Sequence, residues 1–258
     1  MNIKNSFNEE YFSLDSNGRR LYGIIHNVEN PKAIVISAHG LNGERVDAHR
    51  ILVLFSRQCA QNEVMSVRFD FSGCGVSENR FFESSISTRI KELASVVEYI
   101  TDRFKGIPVI LHGFSDGCRI VYDSFGTINP SAYLLWSPIL LPSQAEDANL
   151  DDVPWQRLQD EKWPVKPFLG LWLGFTYIKE YGKLKTHGFE NKSIAIFKGE
   201  YDKSVDDSIS TIKNSVENSS NISIGVIKNG GHIYETHEAT NSVIQNSIEW
   251  IRSVANCD

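Results

Sequence analysis

The chain has 258 residues, 41% hydrophobic and 22% charged, with a formal net charge of −6. That balance suits one sizeable globular core and excludes a low-complexity or disordered chain. No block of Lys or Arg stands out, so neither nucleic acid nor an anionic membrane surface is an expected partner.

The first ten residues, MNIKNSFNEE, contain no apolar h-region. No apolar run approaches the ~20 residues that span a bilayer. Cys59, Cys74, Cys118 and Cys257 are scattered without CxxC or zinc-type spacing, so free thiols in a cytoplasmic protein are expected. Neither a metal nor a cofactor is expected, because Gly73-Cys-Gly75 lacks the third glycine of a dinucleotide loop.

Residues 10–27 read as a hairpin. Tyr11-Phe-Ser-Leu14 and Leu21-Tyr-Gly-Ile-Ile25 flank Asp15-Ser-Asn-Gly18, and Asn-Gly favours a two-residue turn. Ala33-Ile-Val-Ile-Ser37 is short and almost wholly apolar, as a buried strand should be, and runs into the loop His39-Gly-Leu-Asn-Gly43. Residues 47–59 carry Ile51, Leu52, Leu54 and Phe55 at helical spacing. The next strand, Val64-Met-Ser-Val-Arg-Phe69, ends at the glycine-punctuated turn Asp70-Phe-Ser-Gly-Cys-Gly-Val-Ser77. Over 86–104, Ile90, Leu93, Val96, Val97 and Ile100 share one helix face. A strand at Val109-Ile-Leu111, a helix over about 116–125 and a strand at Ala132-Tyr-Leu-Leu-Trp136 follow.

Residues 137–190 break this alternation, with an acidic, turn-rich half over 144–152 and an aromatic half from Trp155 to Tyr181. The stretch is too long for a loop and too short for an independent domain, so it is expected to be a lid. Alternation resumes with strands at 194–197 and 222–227 and helices near 206–216 and 239–254. The whole chain is therefore expected to be one α/β domain, a mostly parallel sheet flanked by helices with an inserted lid.

The chemistry centres on Pro108-Val-Ile-Leu-His-Gly-Phe-Ser-Asp-Gly-Cys118, which reads strand, sharp turn, helix, with Ser115 at the apex. Side chains at 113 and 117 would collide with the neighbouring strand and helix in so tight a turn. A serine hydroxyl is a weak nucleophile and needs a base within reach, itself oriented by a carboxylate. In open α/β sheets such groups gather at the carboxyl ends of strands. Past the last two predicted strands stand Asp202, in Lys198-Gly-Glu-Tyr-Asp202, and His232, in Lys228-Asn-Gly-Gly-His232. Ser115, Asp202 and His232 thus follow the chain order of an α/β-hydrolase.

Glu200 comes too soon after its strand to be the acid, while Asp206 and Asp207 suit the start of the next helix. His237 is the competing base, but it lies between Glu235 and Glu238 at a helix entry. His112 is expected to satisfy backbone groups inside the sheet. Two backbone N–H groups must face the developing oxyanion. Asp116, after the nucleophile, is one expected donor; Leu41, in the loop after the first buried parallel strand, is the other, with His39 bracing that loop.

These residues resemble the α/β-hydrolase superfamily across nearly the whole chain. Within it the chain looks most like bacterial carboxylesterases that include cinnamoyl and feruloyl esterases, relatives of the serine aminopeptidase-like hydrolases. Arg68-Phe-Asp70 followed by Gly73-Cys-Gly-Val-Ser77 carries that likeness, as does the aromatic stretch Leu173-Gly-Phe-Thr-Tyr-Ile-Lys-Glu-Tyr181. Relatives usually carry His or Arg where Cys74 stands, and often Gln, Met or Gly where Asp116 stands.

The resemblance implies a serine hydrolase cleaving a small carboxylic ester through an acyl-serine. A thioesterase or acyltransferase would use the same intermediate; a peptidase or an inert scaffold fits less well. The partner is then a small-molecule ester or thioester. Trp155, Trp172 and Phe175 are expected to wall its acyl group, since such pockets are mostly apolar.

Overall fold

The computed structural model describes residues 8–141, 156–157, 164–184, 191–216 and 221–255. Among them, eight strands form the main sheet, in the order β1-β2-β4-β3-β5-β6-β10-β11. The hairpin strands β1 (Asn8–Asp15) and β2 (Arg20–Asn27) are antiparallel, and β2 joins β4 (Val64–Phe69) antiparallel. β4, β3 (Ala33–Ala38), β5 (Val109–Phe114), β6 (Ala132–Trp136), β10 (Ser193–Gly199) and β11 (Asn221–Ile227) run parallel. The hairpin turns as its sequence requires. Asn17 and Gly18 both have positive φ, 55° and 77°, and Ser16 and Arg19 exchange backbone hydrogen bonds.

Period-two alternation splits the apolar side chains of the parallel strands between two cores. Ile34, Ile36, Leu111, Leu135, Ile194 and Ile196 face one layer, packed by α2 (Ile86–Arg103), α3 (Gly117–Asp123) and α5 (Asp206–Ser215). Val35, Ile110, Leu134, Trp136, Ala195 and Phe197 face the other, against α1 (Ile51–Gln61) and α6 (His237–Val254). Capping fixes where the long helices begin. The Ser85 hydroxyl accepts from Thr88 N–H and the Thr236 hydroxyl from Ala239 N–H.

Two helix expectations are corrected. The helix read from residue 47 starts at Ile51, after a 3-10 turn over Ala48–Arg50. Asp47, His49 and Arg50 have φ of 56°, 39° and 66°, outside the α region. The helix after Ser115 is shorter than expected, covering Gly117–Asp123.

The insertion leaves after β6. It contains β7 (Gln156–Arg157), β8 (Pro164–Phe168) and β9 (Leu171–Gly174), a small antiparallel sheet, then α4 (Phe175–Tyr181). Its acidic stretch over 144–152 lies outside the described residues. Arg119 of α3 holds the insertion at two points, donating to the Leu140 carbonyl near its entry and to the Tyr181 carbonyl at the end of α4 at 2.8 Å. β9 sits so close that a Cβ on Gly174 would come within 2.1 Å of the Phe82 carbonyl oxygen.

The chain turns back on itself at the centre of the sheet. β3 feeds β4 on one side, while β5, β6, β10 and β11 build outward on the other. Loops leaving the carboxyl ends of β3 and β5 therefore face each other across a crevice, where open α/β sheets place their ligands.

Candidate active site

Ser115 caps β5 with φ 54°, a left-handed conformation that strains a residue other than glycine. Its backbone is held on both sides: its N–H donates to the Trp136 carbonyl, and its carbonyl accepts from Cys118 and Ile139 N–H. The tightness of the turn explains both glycines. A Cβ on Gly113 would lie 2.7 Å from Cys118 N, and one on Gly117 would lie 2.1 Å from the Ala38 carbonyl oxygen.

β10 and β11 end level with each other, Gly199 opposite Ile227. The Glu200 and Tyr201 N–H groups donate to the carbonyls of Ile227 and Gly230, stitching the two following loops together. That stitching brings Asp202 to His232. His232 Nδ1 lies 2.9 Å from Asp202 Oδ2, and His232 Nε2 lies 2.8 Å from Ser115 Oγ. The carboxylate only accepts, so Nδ1 carries the proton and Nε2 is left to accept from the serine hydroxyl.

Asp202 is buried, which works to raise its pKa. Hydrogen bonds from His232, Ser204 and Ser137, with the attraction of the imidazole, outweigh that and hold the carboxyl below its usual range. Ser204 Oγ bonds the other carboxylate oxygen at 2.6 Å. The rival groups are engaged elsewhere. Glu200 accepts from Asn229 N–H, Asp206 pairs with Lys198, Asp207 sits in the first turn of α5, and His237 bonds Asn241 on the exposed face of α6.

Among the described residues, the N–H groups of Leu41 and Asp116 bond no acceptor. Leu41 N–H belongs to the peptide whose carbonyl is Gly40 O. His39 Nδ1 donates to that carbonyl at 2.8 Å, while its Nε2 accepts from Phe71 N–H at 3.1 Å. In a trans peptide the N–H points opposite the C=O, so His39 sets the direction of Leu41 N–H. Burial pushes the His39 pKa down to about 3, assisted by nearby Arg89, so the ring stays neutral and keeps this tautomer. Asp47 accepts from Gly40 N–H on the loop's other flank.

The Asp116 carboxylate is buried in the protein, where Tyr177 Oη donates to it at 2.5 Å and Arg89 Nη1 lies 3.4 Å away. Sequence reasoning missed Arg89. Its signal was a charged residue on the apolar stripe of α2, among Ile86, Ile90 and Leu93. His112 is buried as expected, but Nδ1 meets the Ser37 hydroxyl at 3.0 Å instead of a backbone group, and the ring packs on Phe55 and Trp136.

A cavity of about 570 Å³ opens beside Ser115 and His232. Phe114, Ile139, Phe168, Leu169 and Tyr181 give it an apolar side, and Asn42, Lys203, Ser204 and Glu235 a polar rim. Trp172 and Phe175, expected beside the substrate, do not line it, and Trp155 lies outside the described residues. The reason is the β8–β9 hairpin. Its tip, Leu169-Gly170, has φ of 45° and 82° and reaches the cavity, whereas the strand beyond turns Leu173 into the core. No group of three or more His, Cys, Asp or Glu among the described residues is placed to hold a metal ion, and no described helix is long and apolar enough to cross a membrane. Of the cysteines, Cys59, Cys74 and Cys118 are buried free thiols.

Sheet order, flanking helices and the elbow define the α/β-hydrolase fold, and the chain has it. Solved structures agree. Est1E from Butyrivibrio proteoclasticus with bound ferulic acid superposes with a TM-score of 0.73 at 19% identity, over 93% of this chain and 99% of that one. A soluble variant of monoglyceride lipase from Saccharomyces cerevisiae, complexed with a substrate analogue, gives 0.72 at 16% identity, over 95% of each chain. The esterase domain of a Rhodothermus marinus protein gives 0.71 at 14%, over 95% and 98%. No family model and no curated protein sequence matches the chain.

Proposed function

We propose that the protein is a serine hydrolase that cleaves small carboxylic esters through an acyl-serine. The observation that carries this is the continuous chain Ser115 Oγ–His232 Nε2, His232 Nδ1–Asp202 Oδ2, ending beside two amides without acceptors. Ser115 Oγ attacks the ester carbonyl as His232 Nε2 takes its proton. Leu41 and Asp116 N–H groups stabilise the oxyanion. Collapse of the tetrahedral species breaks the ester C–O bond, and the imidazolium returns the proton to the departing alcohol. Water then attacks the acyl-serine as His232 takes its proton; collapse breaks the C–O bond to Ser115, whose oxygen regains the proton from the imidazolium as the acid leaves. The side chain of His232 is 32% exposed, which leaves that water a route to the base.

The cavity supports a substrate with an apolar or aryl acyl group, since Phe168, Leu169 and Ile139 offer it apolar area. Ferulic acid, bound in the structurally similar Est1E, is an aryl acid of that kind. The test is labelling with a fluorophosphonate together with turnover of p-nitrophenyl esters and acyl-CoA thioesters. Labelling at Ser115, lost in Ser115→Ala along with about 10⁶ in turnover, is expected, with esters preferred over thioesters. No labelling and no turnover would sink the hydrolase reading; better turnover of acyl-CoA would move it to a thioesterase.

A further inference from the structure

The two oxyanion amides come from loops far apart in sequence, after β3 and after β5, and backbone donors have no rotamers of their own to adjust. Something must hold the two loops in register. Arg89 of α2 touches both. Its Nη2 donates to the Leu41 carbonyl at 2.9 Å, and its Nη1 faces Asp116 Oδ2 at 3.4 Å. Its Nε donates to Ser84 Oγ at 3.0 Å, and Nη2 also meets Cys74 Sγ at 3.5 Å. The guanidinium lies over the rings of Phe71 and Tyr177, with no exposed surface.

We propose that Arg89 is a positioning residue for the oxyanion site, holding the two donor loops at a fixed separation and drawing the Asp116 carboxylate away from the oxyanion. The inference rests on the hydrolase reading above. An apolar side chain of similar volume would fill the same space without the cost of burying a charge. It would not bond the Leu41 carbonyl and the Asp116 carboxylate at once, which a planar fork of donors does. The second task is electrostatic. Burial holds the Asp116 pKa above its usual range, although Arg89 and the Tyr177 hydroxyl act against that, as does Arg119. A carboxylate on the residue that donates to an oxyanion would otherwise repel the charge forming there.

Arg89→Met, Asp116→Asn and the double variant separate this role from packing. With a p-nitrophenyl ester, Arg89→Met is expected to lose about 10²-fold in kcat, as when an oxyanion donor is lost or misplaced. KM should stay within about threefold, and affinity for a trifluoromethyl ketone, which forms an oxyanion adduct with Ser115, should fall in parallel with kcat. Asp116→Asn removes the carboxylate that Arg89 restrains, so the double variant should regain at least about tenfold over Arg89→Met. A packing defect would not be rescued this way. If Arg89→Met does not fold, Arg89→Lys replaces it, with about a tenfold loss in kcat expected at unchanged KM. A folded Arg89 variant with kcat within about threefold of wild type, or a double variant no faster than Arg89→Met, overturns the role of Arg89 alone. A wild-type protein that neither hydrolyses esters nor takes the fluorophosphonate label overturns the hydrolase reading, and this inference with it.

Discussion

Gly117→Ala tests the elbow geometry with one added methyl group. The new Cβ would lie 2.1 Å from the Ala38 carbonyl oxygen and 2.6 Å from that of His39, where real contacts stay above 3.0 Å. One side must retreat by about 0.9 Å, from 2.1 to at least 3.0 Å. Both obstacles are backbone, so no side chain can swing away to make room. Either α3 lifts, carrying Asp116, or the end of β3 shifts, carrying Leu41. The Gly117 φ is not positive, so the backbone itself tolerates alanine and the effect is steric. Overpacking of this kind costs about 1–3 kcal/mol in stability. A displacement near 1 Å at the reacting groups costs about 10²-fold in rate. The assay is steady-state hydrolysis of a short p-nitrophenyl ester beside thermal unfolding of the same preparation. A lower Tm with kcat reduced about 10²-fold is expected. Wild-type kcat at unchanged Tm would refute the reasoning, because the start of α3 and the end of β3 would then not be packed as tightly as described.

Asp202→Asn should lower turnover by up to about 10⁴ with the fold kept, because an amide favours the wrong histidine tautomer. Asp206→Asn, which loses only an exposed pairing with Lys198, should be mild, and the reverse order of losses would displace Asp202 as the acid. Leu169→Ala and Phe168→Ala should each weaken selection for longer acyl groups by about 1 kcal/mol per lost methylene contact or somewhat more. Trp172→Ala and Phe175→Ala should leave the acyl profile unchanged, and a panel of esters of graded chain length checks both expectations. His39 and His112 have pKa values depressed by burial to about 3, and His26 to about 4. Above pH 6.5 all three are neutral folded or unfolded. Below it the unfolded chain takes up protons that the folded one refuses, so stability falls by about 1.4 kcal/mol per pH unit for each ring. His112→Gln should therefore flatten urea-unfolding stability against pH between 6 and 4 by about that slope, and an unaltered slope would mean that the ring already titrates in the fold.

Local signals carried most of the sheet. Asn17-Gly18 announces its turn because both residues accept positive φ cheaply, and β3 and β5 announce themselves as apolar runs because helices cover both faces of the sheet. The candidate site residues were legible for a related reason. Parallel strands deliver their C-terminal loops to one edge, so motif and chain order picked out Ser115, Asp202 and His232, side chains that the fold brings into hydrogen-bond contact. The start of α1 was not legible. Nothing in Asp47-Ala-His-Arg50 advertises three residues with positive φ, because tertiary packing overrides weak local preference there.

The insertion and the support behind the proposed oxyanion site resisted reading for another reason: their meaning depends on partners remote in sequence. Residues 168–177 fit two periodicities at once, and both occur, a strand to Gly174 and a helix from Phe175. Which side chains reach the cavity is decided by a two-residue hairpin tip, not by either stripe. Arg89 on the stripe of α2 gives no hint that it meets residues 48 positions back and 27 ahead. Tyr177, counted as one aromatic among several, bonds Asp116 from 61 residues away. These contacts tie the insertion to the candidate site. α3 carries the elbow at its N-terminus and, through Arg119, grips the Leu140 carbonyl near the entry of the insertion and the Tyr181 carbonyl at the end of α4. Tyr177 lies between those anchors and reaches back to Asp116. A change that moves α4 therefore acts on the proposed oxyanion donor through Asp116, even where it touches no cavity wall.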